Sequence, residues 1–361
     1  AEAAVHAMCE EFGNPSSLHR MGLEASHLLE DSRRTVASAL GCLPEEVYFT
    51  ACGTESTNIS LRGAAHLNRH KKGRIITTEI EHAATVNTAK QLAADGFDVV
   101  FLAPDATGHI TPEVLSEALT EDTILLSCQL VNNEIGTVQP VEQLGKLLKA
   151  KAPKALFHID AVQGLCRVRL TPKKWNCDLM SVSGHKIGAP KGIGALYVKK
   201  GIHIPPFMLG GGQEKGFRSG TESVPLICGF GAAVKKLAPN VSANFEKAAD
   251  IQAYLIEKCN ENGDVFVNSR KGGSPYVTSI AVKGLKSEVL LHYLEKREIY
   301  VSSGSACSKG KKSSVLKEFR YPEQSLDSTI RISFSIDTTK ADIDALMEGI
   351  KSAQNDLCKV R

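Results

Sequence analysis

The sequence predicts an α/β protein: a large domain on a mostly parallel sheet with helices on both faces, then a smaller α+β domain. Three observations lead there. From about residue 35 to 235, short apolar runs alternate with helical stretches, and repeated strand–helix–strand builds a parallel sheet covered by helices. Beyond about residue 240 the pattern changes to strands and helices in a shorter layer of their own. Finally, 361 residues exceed the usual size of one domain. The expected boundaries are 13–238 for the large domain and 239–361 for the small one, joined by residues 1–12.

In chain order, AEAAVHAMCEEF reads as an amphipathic helix already under way with no cap ahead of it, so further residues are expected before position 1. Buried strands are expected at 45–50, 73–80, 97–103, 123–131, 154–161, 177–184 and 194–200, each a short apolar run bounded by turn residues. Helical spacing of apolar residues marks 58–70, 84–96 and 141–153 between them. The run 242–262 is a long amphipathic helix suited to connect two domains. After it, strands at 276–284 and 328–336 alternate with helices at 287–299 and 339–357.

Composition narrows the function. Forty-three basic against 40 acidic residues leave a formal charge of +3, which gives no bulk-charge case for binding nucleic acid. No run of eighteen apolar residues suggests a membrane span. Residues 1–17 lack the basic and apolar regions of a signal peptide. Ten cysteines are scattered with no two at zinc-finger or redox-motif spacing, so no metal site is expected. The scatter suggests reduced thiols in a cytoplasmic protein. Cys307 stands apart. In SSGSACSKGKKSS (302–314) it has hardly an apolar neighbour, whereas buried cysteines sit among aliphatics.

Polar residues at the carboxyl ends of parallel strands converge on one crevice. Asp160 ends the run FHID, and Lys186 follows the next strand by a Ser-Gly-His turn. An acid and a lysine so placed suit pyridoxal 5'-phosphate, which needs a lysine for its Schiff base and a carboxylate to keep the pyridine nitrogen protonated. A salt bridge at a crevice reads equally well from these two residues alone. The stretch TACGTESTN (50–58) offers a strand end, a Gly53-Thr54 turn and a helix start for a phosphate, or simply a helix cap. Ser183 and His185 supply further donors or stabilise their own turn. GGGQEKGFRSGT (210–221) delivers hydroxyls and the Arg218 cation on a glycine-rich loop, outside any Walker or Rossmann context. His82, after a strand, can stack on a flat ring or shuttle protons, or be a satisfied half-buried histidine. Asn133 ends another apolar run, where an amide often ties a turn.

These residues, taken with GNPSSLH (13–19), TTEIEHAA (77–84), VNNEIGTVQP (131–140), FHIDAVQG (157–164), SVSGHKIGAPKGIG (181–194), SSGSACS (302–308) and IRISFS (330–335), resemble the cysteine desulfurases of the NifS/IscS kind. Those are pyridoxal-phosphate enzymes of fold type I in the class V aminotransferase family, and the motifs occur in family order across nearly the whole chain. The resemblance implies a mixed, mostly parallel seven-stranded sheet in the large domain. It implies that Lys186 bonds the cofactor, Asp160 faces its ring nitrogen, Gln163 lies near its ring hydroxyl and His82 stacks on the ring. Thr54, in its turn with Gly53, and Ser183 and His185 then match phosphate ligands. Thr221 matches a threonine that reaches the phosphate from the other subunit of a homodimer. Asn133 and Arg331 match the residues that hold the substrate carboxylate, and Cys307 matches the nucleophile. Two departures stand out: the family's opening Asp-Asn-Ala-Ala-Thr-Thr strand is absent, and Cys52-Gly53 stands where Gly-Ala is more common.

The activity so implied is conversion of L-cysteine to L-alanine, with the sulfur captured as a persulfide on Cys307. An acceptor protein, such as an iron–sulfur scaffold or a tRNA- or cofactor-thiolation enzyme, would take it onward. Lysines 309, 311 and 312 can favour the thiolate or merely solvate the loop. The competing readings are a selenocysteine lyase or cysteine-sulfinate-preferring relative, another class V enzyme such as an aminotransferase, and a non-catalytic paralogue serving as a scaffold.

Overall fold

The computed structural model describes residues 1–303, 316 and 326–357. The chain divides into two compact units. The first comprises residues 1–102, 111–130 and 140–241, and the second residues 103–110, 131–139 and 242–361.

The first unit is built on seven strands: β1 (Val47–Thr50), β2 (Arg74–Thr78), β3 (Asp98–Leu102), β4 (Thr123–Gln129), β5 (Leu156–Asp160), β6 (Leu179–Ser183) and β7 (Gly194–Val198). They lie in the order β1-β7-β6-β5-β4-β2-β3. The run from β6 to β3 is parallel throughout, and β7 is antiparallel to both neighbours. This is the mixed, mostly parallel seven-stranded sheet expected. The central strands carry no alternation because helices cover both faces of such a sheet; all seven residues of β4 are buried.

Seven helices belong to this unit: α1 (Glu2–Cys9), α2 (Arg20–Leu40), α3 (Gly53–Leu67), α4 (Ala83–Ala94), α5 (Pro112–Ala118), α6 (Val141–Lys151) and α7 (Val224–Leu237). α2 shows why such a segment folds. Its buried residues Ala25, Leu29, Val36 and Leu40 keep helical spacing. His19 caps its start by accepting the Gly22 amide at 3.2 Å, and Gly41 ends it in the left-handed region at φ 69°. α3 and α4 pack Ile59, Leu61, Ala64 and Leu92 against Ile75 of β2 and Leu125 of β4.

The second unit is an antiparallel sheet of β8 (Val265–Val267), β9 (Val277–Val282) and β10 (Thr329–Ser333), ordered β10-β9-β8. With it go α8 (Val241–Glu261, all but its first residue), α9 (Ser287–Glu295) and α10 (Lys340–Asp356). Its core joins Leu255, Ile280, Leu294, Ile330 and Ile350. α10 opens with a capping box in which Asp342 accepts the Thr339 amide at 2.8 Å. Among the described residues no helix is long and apolar enough to cross a membrane.

Candidate active site

The register places the candidate residues of the first unit along one edge of its sheet. Asp160, the last residue of β5, pairs with Gln129 of β4 on one side and Ser181 of β6 on the other. Ser183 ends β6 opposite Gly194, which in turn faces Thr50 at the end of β1. Immediately after Ser183, a tight helical turn (Gly184–Ile187) carries His185 and Lys186, and Gly188 closes it at φ 76°.

Asp160 is buried, and its Oδ1 accepts the Val162 amide at 3.0 Å. Burial pushes its carboxyl above the ordinary carboxylate range, while the Val162 amide and the neighbouring His82 and Lys186 pull the other way. His82 and Lys186 thus both lie close enough to act on Asp160. Val162 also reaches the phosphate-type turn: a Cβ added at Gly53 would lie 2.6 Å from Val162 Cγ2 and 3.5 Å from Ser183 Cβ. A side chain at position 53 would therefore need Val162 to give way, and the strand ends of β1, β5 and β6 meet there.

α3 begins at Gly53 with no side-chain cap on its first turn, which leaves amides available to an anion. Thr54 is exposed, and it lines one open cavity of about 440 Å³ with His82, Asn58, Arg62, Asn87 and Gln91. Ser183 Oγ lies 2.8 Å from His185 Nδ1. Burial, with Lys186, Lys191 and His82 nearby, lowers the affinity of the His185 ring for a proton. Gln163 is buried, its Oε1 held at 2.6 Å by Arg167, which also donates to the Lys186 carbonyl at 2.9 Å.

His82 caps α4, its Nδ1 accepting the Ala84 amide at 3.1 Å. In that hydrogen bond Nδ1 is the acceptor, which leaves Nε2 to carry a ring proton. The preceding residue is a second buried acid. Glu81 Oε1 accepts from Thr78 Oγ1 and from the Gln129 amide, each at 2.8 Å, and Gln129 Nε2 donates to the Ile80 carbonyl at 2.6 Å. Burial, reinforced by Asp160, pushes the Glu81 carboxyl up to about 8. On β5, two residues before Asp160 and on the same face, fully buried His158 bridges Ser127 Oγ (2.8 Å) and Ser181 Oγ (2.9 Å). Burial lowers its pKa to about 3.

Thr221 is exposed at the end of the glycine-rich loop. Among the described residues no hydrogen bond joins it to Thr54, Ser183 or His185. Arg218, expected to offer a cation to a phosphate, instead pairs with Glu55 at 2.8 Å. Asn133 and Arg331 both belong to the second unit, where Arg331 Nη1 donates to the Asn133 carbonyl at 3.0 Å and Nη2 to Ser302 Oγ at 3.4 Å. Cys307 lies outside the described residues. The sequence reading missed Glu81, His158 and Arg167. The only signal they left was position: each lies within four residues of a residue it did single out.

The donor set fits pyridoxal phosphate. A buried carboxyl whose proton affinity is raised needs a cationic partner to ionise, and a protonated ring nitrogen is one. The uncapped first turn of α3 fits the phosphate, and Lys186 the aldehyde. No group of three or more His, Cys, Asp or Glu among the described residues is arranged to hold a metal ion.

Residues 1–346 match the family model for class-V aminotransferases. A cysteine desulfurase of Nostoc sp. (strain PCC 7120 / SAG 25.82 / UTEX 2576) is 38% identical over 356 residues, covering 96% of this chain and 87% of its own. Among solved structures, a NifS-like protein superposes with a TM-score of 0.93 at 34% identity, covering 99% of this chain and 95% of its own. SspA in complex with cysteine does so with a TM-score of 0.82 at 34% identity, covering 92% and 94%.

Proposed function

The chain belongs to the class-V aminotransferase family, and from that premise we infer that it is a pyridoxal-phosphate-dependent cysteine desulfurase, releasing L-alanine from L-cysteine and retaining the sulfur. One observation of its own carries the reading: buried Asp160 sits within electrostatic reach of His82 and Lys186 at the strand ends, with the uncapped turn at Gly53 packed beside them.

Each side chain then has a task. Asp160 holds the proton of the ring nitrogen, as a buried carboxylate does best beside a cation. His82, its Nδ1 occupied by the Ala84 amide, would stack on the ring. Thr54, Ser183, His185 and the amides of the Gly53 turn hold the phosphate, and Gln163, fixed by Arg167, hydrogen-bonds the ring hydroxyl. When bound, pyridoxal phosphate supplies a protonated ring that stores the electron pair left at the substrate's α-carbon. Lys186 would anchor the cofactor through Nζ, and the same Nζ would take the α-proton of the substrate. Arg331 and Asn133 bind the substrate carboxylate, for which a guanidinium is the fitting partner.

The Cys307 thiolate attacks the substrate sulfur. A sulfur–sulfur bond forms and the carbon–sulfur bond breaks; its electron pair goes to carbon, which is protonated on the way to alanine. A persulfide on Cys307 then passes to a sulfur acceptor, an iron–sulfur scaffold or a thiolation enzyme. SspA in complex with cysteine supports the substrate. Thr221, exposed and unjoined to the phosphate residues of its own chain, serves the second site of a homodimer. A reducing cytosol suits the eight cysteines among the described residues, all of them free.

Reconstitution with pyridoxal phosphate tests the assignment. A yellow absorbance band bleached by borohydride and missing from Lys186→Ala is expected. An identical band in Lys186→Ala would overturn it.

A further inference from the structure

β1 is the edge strand of the large sheet, and an open edge leaves backbone groups unpaired. Here side chains cover alternate positions. The Val47 carbonyl accepts from Arg33 Nη1 at 2.7 Å. The Phe49 amide donates to Glu214 Oε2 at 2.9 Å and the Ala51 amide to Glu55 Oε2 at 2.8 Å. Arg33 and Glu214 form a buried two-pronged pair at 2.8 Å in each arm, and Arg33 lies over the Phe49 ring at 4.9 Å. Tyr48 packs on Phe217 with centroids 4.6 Å apart and the rings tilted by 45°. The loop 213–221 is therefore fastened along β1. It is held firmly enough that Glu214 and Lys215 keep left-handed φ values of 47° and 58°.

The same loop delivers Arg218 to Glu55, Nε to Oε1 at 2.8 Å and Nη2 to Oε2 at 3.4 Å. Glu55 is the only acid in the first turn of α3 and directly follows Thr54. It shapes the turn through the Ala51 amide and suits the positive end of the helix. A phosphate dianion needs that same end, and a bare carboxylate beside it repels the dianion.

We propose that Arg218 is a positioning residue for phosphate binding: it neutralises Glu55, so that the acid can hold the Ala51 amide while the turn accepts a dianion. This rests on the phosphate assignment made above. The guanidinium suits the task because its charge persists at all ordinary pH values, and the Glu55 contact strengthens its hold on the proton.

The test is a suppressor experiment on the full-length protein, with equilibrium dialysis of pyridoxal phosphate, pyridoxal and inorganic phosphate. Arg218→Ala should weaken both phosphate ligands about tenfold, the size of one lost charge contact, and leave pyridoxal unchanged. Adding Glu55→Gln to Arg218→Ala should restore most of that affinity, because the amide still accepts the Ala51 proton without the charge. A double variant as weak as Arg218→Ala would overturn the proposal, making Arg218 a direct phosphate ligand or a plain brace. Equal weakening of pyridoxal would overturn it too. Wild-type protein that failed to bind pyridoxal phosphate would refute the functional reading. Inorganic phosphate lost in Arg218→Ala and regained in the double variant would still uphold the proposal.

Discussion

His158 makes the stability of the protein depend on pH in a calculable way. The imidazole is fully buried between Ser127 and Ser181. Neutral, it has one donor and one acceptor nitrogen, matched by two hydroxyls that can each serve either way. Its folded-state pKa is about 3 against 6.5 for the free side chain. Between those values the unfolded chain binds the extra proton, so stability is full above pH 6.5 and is lost as pH falls toward 3. At about pH 5 the loss amounts to about 2 kcal/mol, and it levels off near 5 kcal/mol below the folded value. His158→Gln keeps one donor and one acceptor but cannot titrate. Urea unfolding at about pH 8 and about pH 5 should therefore cost the wild type about 2 kcal/mol more than the variant. Equal losses in the two proteins would refute the reasoning.

Glu81 should act in the opposite sense. Its carboxyl is protonated in the folded state up to about 8 but ionises near 4.5 when unfolded. The folded chain therefore holds the extra proton across that window, and stability falls as pH rises through it. In urea, Glu81→Gln should gain on the wild type between those values, by about 3 kcal/mol at neutral pH; a gain that does not vary with pH would contradict this. For the Arg33–Glu214 pair, Glu214→Ala should lower unfolding free energy by about 3 to 5 kcal/mol by stranding a buried guanidinium. Replacing both residues with leucine should cost much less. A double variant as unstable as Glu214→Ala would show that the stranded charge is not the cause.

Much of the large sheet could be read in advance because strands covered on both faces are continuous apolar runs. Their ends were less legible. The run 73–80 stops as a strand at Thr78 because Ile80 and Glu81 turn to Gln129. The start of α3 at Gly53 was legible from the Gly53-Thr54 turn rather than from apolar periodicity, which begins five residues later. α2 and α7 went unread, and β8 is only three residues long. Within the site, His82, Asp160 and Lys186 could be found because chemistry at strand ends follows chain order. Arg218 could not be placed: its partner Glu55 is 163 residues away. Arg33 and Glu214, 181 apart, share the difficulty. Such pairs depend on strand order, which periodicity does not contain.

On the proposed function, sulfur from L-cysteine becomes bonded to Cys307. The most direct measurement incubates the reconstituted protein with L-cysteine and weighs the peptide holding Cys307 while alanine is followed. A peptide heavier by one sulfur atom is expected, a gain reversed by a thiol reductant, with no turnover in Cys307→Ser. Steady alanine formation with that peptide unchanged in mass would contradict it.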